Sequence, residues 1–283
     1  MSGRLVIVST PIGNLGDFSE RAARTLEGVD IIACEDTRMT RKLLALSGLT
    51  STAKLVPYHD HNGATMRPRL LADIGDGKIV ALVSDAGTPL ISDPGYKLVA
   101  GCHDHGFTVT AVPGPSAPLA ALTVSGLPSD KFTFAGFLPP TKKACETAIK
   151  DVSDLPMTII WFETPRRLLK SLTLMAAILG PRLTVVAREL TKIHEEVIRA
   201  PLPDLIAMIE QRESIKGEIV VLVEGRQTDD TIFDEADVTL MLQEELRQRS
   251  LRDAVKSIAD RTGLPKRSIY QLALKMSNAT PSD

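Results

Sequence analysis

Apolar and polar residues follow one another in blocks along the first 128 residues of the chain. Short apolar runs, which predict strands, are separated by segments whose apolar residues have helical spacing. The predicted elements are Arg4 to Val8, Ser19 to Glu27, Ile31 to Cys34, Thr40 to Ser47, Lys54 to Tyr58, Met66 to Asp76, Ile79 to Val83, Tyr96 to His105, Val109 to Val112 and Ser116 to Val124. This alternation of strand and helix is typical of a mostly parallel sheet.

The same kind of alternation starts again at Lys131 and predicts a second sheet. Its predicted elements are Phe132 to Phe137, Lys142 to Val152, Met157 to Phe162, Pro165 to Leu179, Leu183 to Ala187, Glu195 to Arg199, Asp204 to Arg212 and Glu218 to Val223. We therefore predict α/β domains over residues 1–128 and 129–233, followed by an extension over residues 234–283.

The extension has a different pattern. One helical stripe of apolar residues starts at Leu251 and a second starts at Ile269, with Thr262-Gly-Leu-Pro265 between them. Two short helices around a glycine-containing turn predict a helix-turn-helix unit. An equally acceptable interpretation is a solvated basic helix pair that caps the second domain.

Three of the predicted strands end abruptly in loops rich in glycine and proline. Val8, Val83 and Val112 are each followed by such a loop, and the longest is Ser84-Asp-Ala-Gly-Thr-Pro-Leu-Ile-Ser-Asp-Pro-Gly95. In open α/β sheets, ligands bind at the carboxyl ends of strands. The three loops therefore predict one ligand-binding rim. None of them has a nucleotide-binding glycine pattern.

Charge is distributed unevenly along the chain. The net charge is −2, but the segment from Arg247 to Lys275 has eight Lys or Arg and two Asp, so it carries +6 and the remainder carries −8. This asymmetry indicates a polyanionic partner.

The three cysteines are scattered, which is typical of a protein in a reducing compartment. No apolar stretch approaches the ~18 residues of a membrane span. We therefore expect a cytoplasmic protein without membrane association.

Several segments, taken in order, resemble a known family. They are Thr10-Pro-Ile-Gly-Asn-Leu15, Glu35-Asp-Thr-Arg38, Ser84-Asp-Ala-Gly-Thr-Pro89, Ser92-Asp-Pro-Gly-Tyr96, Pro113-Gly-Pro-Ser-Ala117, Ser125-Gly-Leu-Pro128, Gly136-Phe-Leu-Pro139, Glu163-Thr-Pro-Arg166, Ala187-Arg-Glu-Leu-Thr-Lys192 and Lys216-Gly-Glu218. Together they resemble the tetrapyrrole methylase superfamily and, within it, the bacterial methyltransferases that modify the ribose 2′-hydroxyl of a cytidine in 16S ribosomal RNA. The basic extension is similar to that of the same subgroup. Glu163-Thr-Pro-Arg-Arg167 departs slightly from the Glu-Ser-Pro-His-Arg form of the family.

The resemblance implies an α/β fold of two unlike domains, with S-adenosylmethionine in the cleft between them and 16S rRNA or the small ribosomal subunit as substrate. It also implies a homodimer. The residues that it implies for donor binding are Pro11, Asp85, Ala86, Gly87, Thr88, Ser116, Ala117, Phe162 and Ala187.

Methylation of a ribose hydroxyl invites a general base, or a cation that lowers the pKa of the hydroxyl. Glu189 and Lys192 follow a strand of the second domain and are the predicted catalytic pair, although a surface ion pair is an equally good interpretation. The predicted RNA contacts are Arg38, Arg41, His59, Arg166, Lys266 and Arg267.

Two histidine pairs, His59 with His61 and His103 with His105, have a spacing that metal ligands can have. A tetrahedral site needs further ligands, and the sequence indicates none nearby, so no metal is expected. Two other functions stay open at this point. One is methylation of a tetrapyrrole precursor, which would not use a basic tail, and the other is a ligand-sensing regulator that binds DNA.

Overall fold

The computed structural model describes residues 3–227, 235–247, 249–262 and 264–278. They form two compact units that divide after Arg226. No helix in the described ranges is long and apolar enough to span a membrane. The domain limits after residues 128 and 233 stay predictions.

The first sheet has five parallel strands in the order β3-β2-β4-β1-β5. The strands are β1 Arg4–Val8, β2 Ile31–Cys34, β3 Lys54–Pro57, β4 Ile79–Val83 and β5 Thr108–Val112. The helices that follow them are α1 Glu20–Gly28, α2 Thr37–Leu46, α3 Gly63–Gly75, α4 Tyr96–Asp104 and α5 Ala117–Ser125, with a short 3₁₀ helix at Leu15–Asp17. The predicted parallel sheet is confirmed.

Both faces of this sheet are covered, which explains why its central strands β1, β2 and β4 are mostly buried apolar runs, whereas the edge strands β3 and β5 are partly exposed. One face packs around Leu5, Leu82 and Leu98, and the other around Val8 and Leu26. The strand order reverses between β1 and β4, which are neighbours although they are far apart in sequence. The carboxyl ends of such a strand pair form a crevice, where ligands commonly bind in this type of sheet.

The second sheet is mixed, with the order β6-β7-β10-β8-β9. The strands are β6 Phe132–Phe137, β7 Thr158–Glu163, β8 Leu183–Arg188, β9 Glu196–Pro201 and β10 Ile219–Val223, and the helices are α6 Lys142–Asp151, α7 Pro165–Leu179 and α8 Leu202–Glu210. Only β6 and β7 are parallel, so the two sheets are unlike in topology.

The two sheets are joined by a shared core. Ala121 and Leu122 of α5 pack with Ile160 of β7 and Leu222 of β10, and Ile12 from the loop after β1 belongs to the same cluster. The other face of the second sheet packs around Trp161 against α7 and α8. The shared core places the loop ends of the first sheet against the second sheet.

The unit that follows Arg226 contains three helices in its described residues, α9 Glu235–Leu246, α10 Leu251–Thr262 and α11 Lys266–Asn278. They pack around Leu242, Ile258 and Ile269. The two predicted helices are confirmed as α10 and α11. The sequence reasoning missed α9.

Candidate active site

A cavity of about 360 Å³ lies between the two sheets. The loops after β2, β4 and β5 form one wall, and the ends of β6 and β7 with the segment before β10 form the other. It therefore sits at the carboxyl ends of the parallel strands, where the sequence predicts a ligand-binding rim. Both sheets are needed to close it.

The first wall is held together by backbone bonds across the β1 and β4 loops. The amide of Thr10 donates to the carbonyl of Gly87 at 2.9 Å, and the amide of Gly87 donates back to Thr10 at 3.1 Å. The hydroxyl of Thr88 donates to the carbonyl of Pro115 at 2.9 Å, which adds the β5 loop. Gly87 has a φ of +82°, which favours glycine. These bonds fix the loops before any ligand arrives.

Two bulkier residues of the same loop also have left-handed backbone conformations. Leu90 has a φ of +75° and Ser92 a φ of +65°. Such conformations cost about 1–3 kcal/mol each and persist only where the surrounding structure enforces them. The loop after β4 is therefore a strained and preorganised wall.

The lining of the cavity is acidic. Five acidic residues line it, and among the described residues no Lys, Arg or His does; the five are Glu35, Asp85, Asp93, Glu218 and Glu163, the last with its side chain fully buried. Such a lining repels phosphate groups and favours a ligand with positive charge.

Glu163 is neutralised within the wall. It is 3% exposed, and its carboxylate lies 3.2 Å from Nε of Arg167. It also accepts bonds from the hydroxyl of Ser171 and, at 2.7 Å, from the amide of Thr164, which caps α7. This network fixes the turn from β7 into α7 at the cavity edge.

Glu218 is paired with a lysine at the rim. Nζ of Lys192 lies 3.1 Å from the carboxylate of Glu218 and 2.9 Å from that of Glu189. Burial lowers the pKa of Lys192, but the hydrogen bonds to the two glutamates outweigh it and leave the pKa raised. The bond from Lys192, helped by the amide of Glu218, lowers the pKa of Glu189. Both side chains therefore carry their charges at neutral pH.

Two glycines allow this rim cluster to form. A Cβ on Gly13 would lie 2.4 Å from Cγ of Lys192, and a Cβ on Gly217 would lie 2.4 Å from Cδ of Glu189. Gly217 has a φ of +93°, and Glu189 itself has a φ of +50°. The Lys192 stem thus spans from the loop after β1 to the second sheet.

The other three lining carboxylates have raised pKa values. Burial is the main cause for Glu35, Asp85 and Asp93; repulsion from Asp85 adds to it for Glu35 and Asp93, and repulsion from Asp36 adds to it for Asp85. Asp36, next to Glu35, differs because its hydrogen bonds with Arg38 lower its pKa to about 2. The first wall therefore holds a repulsive charge cluster that a cationic ligand would relieve.

Aromatic rings cover part of the second wall. The ring of Phe162 packs against Phe134 at 5.0 Å and against Phe137 at 5.2 Å between centroids. Phe137 and Phe162 both line the cavity. They provide an apolar surface for a flat ring.

The structure brings most of the sequence-predicted donor residues together. Seven of the nine line the cavity, namely Asp85, Ala86, Gly87, Thr88, Ser116, Ala117 and Phe162. Pro11 and Ala187 do not line it, and Ala187 is fully buried in the shared core. Glu189 and Lys192 lie at the rim, where they contact Glu218.

The predicted RNA residues are dispersed. Arg38 and Arg41 are exposed on α2, and Arg166 is exposed at the start of α7. His59 is half-buried in the loop after β3, and its Nδ1 has no hydrogen-bond partner within the described ranges. Lys266 and Arg267 are exposed on α11, in the other unit.

Sequence reasoning missed four of the five lining carboxylates as site residues, all except Asp85. A signal was available, because Glu35, Asp93, Glu163 and Glu218 each stand in a motif that carries the family resemblance.

The rings of His59 and His61 pack edge to face, with 5.9 Å between their centroids. The described residues contain no group of three or more His, Cys, Asp or Glu that could hold a metal ion.

Two family descriptions match the chain. Residues 4–206 match "Tetrapyrrole (Corrin/Porphyrin) Methylases", and residues 233–277 match "RsmI C-terminal HTH domain". The chain is 44% identical over 277 residues to a protein of Escherichia coli O157:H7 named "Ribosomal RNA small subunit methyltransferase I", with 96% of this chain and 95% of that protein covered.

Solved structures share the fold. The methyltransferase CobJ superimposes with a TM-score of 0.60 at 18% identity, covering 79% of this chain and 95% of its own. Uroporphyrin-III C-methyl transferase from Thermus thermophilus, complexed with S-adenyl homocysteine, superimposes with a TM-score of 0.53 at 20% identity, covering 78% of this chain and 97% of its own. These likenesses concern the fold alone.

Proposed function

Because the chain belongs to the tetrapyrrole (corrin/porphyrin) methylase family, we propose that it transfers a methyl group from S-adenosylmethionine to the 2′-hydroxyl of a cytidine in 16S rRNA. Its relatives named ribosomal RNA small subunit methyltransferase I match over nearly the whole chain, including the helical unit. That full-length match favours an RNA substrate over a tetrapyrrole precursor and over a DNA-binding role.

The acidic cavity is the observation that carries the donor assignment. S-adenosylmethionine supplies a methyl group on a positively charged sulfonium, and its amino group and carboxylate balance each other, so its net charge is +1. Glu163 and Glu218 are paired with Arg167 and Lys192, but Glu35, Asp85 and Asp93 have no such partner in the described lining, which therefore fits a cationic ligand better than a nucleotide phosphate. The volume of about 360 Å³ lies in the range of small-molecule sites.

Individual donor contacts follow from the lining. We assign the amine or the ribose hydroxyls of the donor to Asp85, and polar edges of the donor to Ser116 and the amide that follows it. Phe162 offers its ring to an apolar part of the donor, and the loop from Ala86 to Thr88 offers close backbone approach. Pro11 and Ala187 stay predictions from the family resemblance.

Lys192 acts in this scheme as a cation and not as a base. Its raised pKa keeps the ammonium protonated, so it cannot accept the proton of a hydroxyl at neutral pH. Placed beside Glu218, it can stabilise negative charge that develops on the substrate oxygen. Glu189 holds the ammonium in place through its 2.9 Å contact.

The RNA backbone stays outside the cavity in this proposal, because the acidic lining repels it. Arg38 and Arg41 on α2 and Arg166 on α7 are exposed cations that can bind phosphates of single-stranded RNA. Lys266 and Arg267 on α11 add phosphate contacts. His59 is the remaining proposed contact, from the loop after β3.

We further propose that the substrate is presented by the small ribosomal subunit, that the enzyme works in the cytoplasm, and that it is a homodimer. The names of the full-length relatives support the first point. Light scattering at several protein concentrations tests the dimer, and a constant monomer mass would refute it.

A methylation assay tests the function. Purified protein and methyl-labelled S-adenosylmethionine are incubated with small ribosomal subunits that lack the modification, with naked 16S rRNA, with a tetrapyrrole precursor and with duplex DNA. The expected result is 2′-O-methylcytidine in digests of the small ribosomal subunits, with no label in the tetrapyrrole precursor or in the DNA. Label in the tetrapyrrole or in DNA, or no label anywhere, would refute the proposal.

A matched pair of variants links the activity to the cavity. Asp85→Asn removes a lining charge and is expected to weaken donor binding, whereas Asp17→Asn, in the exposed 3₁₀ helix, is expected to behave as wild type. Equal donor affinity in the two variants would argue against the donor site.

A further inference from the structure

Three of the five acidic residues that line the cavity accept hydrogen bonds from the protein. Asp85 accepts from the amide of Asp36 at 3.1 Å, Glu163 is bound by Arg167, Ser171 and Thr164, and Glu218 is bound by Lys192. The hydroxyl of Ser84 is close enough to Asp93 to lower its pKa, although it donates to the carbonyls of Ala86 and Gly87. Asp85, Glu163 and Glu218 are therefore committed to structural contacts, and Asp93 has the Ser84 hydroxyl beside it.

Glu35 is the exception. Its half-buried carboxylate lines the cavity but receives no hydrogen bond from any side chain or amide that the structure describes. The Glu35 oxygens are not among the buried side-chain atoms without a partner, so water in the cavity can bind them and a ligand can displace that water. Such a group is left available to accept a bond from a substrate hydroxyl.

The position of Glu35 fits a substrate that enters along α2. It follows the last residue of β2, and Cys34 pairs with Val83 of β4, so Glu35 lies beside the strained β4 loop. Helix α2 begins two residues later and carries the exposed cations Arg38 and Arg41. A phosphate held at the first turns of α2 would bring the attached ribose to the cavity edge where Glu35 lies.

We propose that Glu35 is the general base that accepts the proton of the ribose 2′-hydroxyl. The proposal rests on the methyl transfer proposed above and adds a catalytic residue to it. Glu35 then acts from the first wall, while Lys192 stabilises charge from the rim of the second.

The step balances without a further reactant. The hydroxyl proton moves to the Glu35 carboxylate, and a lone pair of the ribose oxygen forms the new bond to the methyl carbon. The bond from that carbon to sulfur breaks, and its electron pair stays on sulfur. The products are the 2′-O-methyl ribose, S-adenosylhomocysteine and protonated Glu35, which returns its proton to water.

The charges around Glu35 favour this role. Burial raises its pKa, and so does repulsion from Asp85 and Asp93 after β4, Asp60 after β3 and Asp36 beside it. A higher pKa makes the carboxylate a stronger base. The rate is therefore expected to fall as the pH drops through the pKa of Glu35 and that group takes up a proton.

Glu35→Gln tests the proposal, because it keeps the size of the side chain and removes its basicity. We expect the single-turnover methylation rate at saturating donor and RNA to fall by ~10²-fold or more. The calorimetric dissociation constant for RNA is expected to stay within about threefold of wild type. The donor is expected to bind more weakly because a lining charge is lost, but less weakly than to Asp85→Asn, and measuring the rate at saturating donor separates this effect from catalysis. The remaining rate should lose the acid limb of the wild-type pH profile.

Two further variants serve as controls. Glu35→Asp keeps a base on a shorter side chain and is expected to retain more activity than Glu35→Gln. Asp60→Asn removes one of the neighbouring charges from an exposed position outside the cavity lining and is expected to leave the rate within about twofold of wild type.

Three outcomes would overturn the assignment. One is a Glu35→Gln rate close to wild type, and another is loss of donor affinity with an unchanged rate at saturation, which would make Glu35 a binding residue. The third is equal damage from Asp60→Asn, which would indicate a general effect of charge. Failure of the wild-type protein to methylate any substrate is a different result, because it refutes the proposed function itself.

Discussion

The buried carboxylate of Glu163 offers the sharpest test of how the cavity wall is stabilised. Replacing it by glutamine preserves its volume but removes the charge that Arg167 faces at 3.2 Å, and it turns one acceptor oxygen into a donor. The hydroxyl of Ser171 and the guanidinium of Arg167 both donate to Glu163, so the new amide must oppose at least one of them. The turn from β7 into α7 should loosen as a result.

The magnitude follows from burial. Breaking a fully buried ion pair costs about 3–5 kcal/mol, but the Arg167 side chain is 30% exposed, so water relieves part of that cost. Arg167 also keeps its bonds to the carbonyls of Leu138 and Pro139. We therefore expect a loss of about 2–3 kcal/mol in unfolding free energy, which corresponds to roughly 5–10 °C in Tm for a unit of this size.

Tryptophan fluorescence during urea unfolding provides the assay. The single tryptophan of the chain, Trp161, is 1% exposed and lies in β7, two residues before Glu163. The matched control is Glu146→Gln on α6, which breaks an exposed pair with Lys142 at 3.9 Å and should cost at most about 0.5 kcal/mol. A Glu163→Gln variant as stable as the Glu146→Gln control would refute the reasoning.

Three other predictions concern the rim, the pH response and the helical unit. Gly217→Ala should lose about 1–3 kcal/mol of stability and much of the activity, because φ is +93° and the new Cβ would lie 2.4 Å from Cδ of Glu189. Gly28→Ala, where a Cβ meets nothing within 4 Å, is the control. Equal denaturation midpoints for the two variants would contradict this prediction. Glu196 has a pKa of about 2, lowered by Arg212 and Arg188. The stability that this carboxylate contributes is therefore complete above its unfolded pKa and disappears as the pH falls from about 4.5 to 2. If the wild type is as much more stable than Glu196→Gln at pH 2 as at neutral pH, the prediction is wrong. The double variant Lys266→Ala with Arg267→Ala should weaken RNA binding and leave donor affinity unchanged. The slope of log affinity against log salt should become shallower by about 1.4, and an unchanged slope in a binding titration would exclude phosphate contacts.

The sequence predicted the sheets well because most strands are short, largely apolar runs bounded by loops. Ile31–Cys34, Ile79–Val83 and Phe132–Phe137 have the predicted limits. Helix α2 starts at Thr37 instead of Thr40, because the Asp36 side chain accepts from the amide of Arg38 and caps the helix earlier. Such a cap depends on a local hydrogen bond that apolar spacing does not report.

Helix α9 was missed altogether. Val238, Met241, Leu242 and Leu246 do have helical spacing, and they pack in the core of this unit. Leu240 lies on the opposite face and is exposed, which weakens the apolar period of the segment. A signal for the helix was therefore present in the sequence and was overlooked.

The candidate site shows the same division. The glycine-rich loops could be predicted because they follow apolar runs directly, and most of the donor residues predicted in them line the cavity. The contributions of Glu35, Glu163 and Glu218 depend on strands from two sheets that meet only in the folded chain. The acidic character of the cavity is therefore a property of the fold, and no single segment carries it.

The central claim is that this cavity binds the cationic methyl donor. Isothermal titration calorimetry of S-adenosylmethionine into the full-length protein tests it most directly, with Asp85→Asn as the variant and Asp17→Asn as the control. Saturable binding at one site per chain, weakened in Asp85→Asn and unchanged in Asp17→Asn, is the predicted result. Absence of binding to the folded wild-type protein, with and without RNA present, would contradict the account.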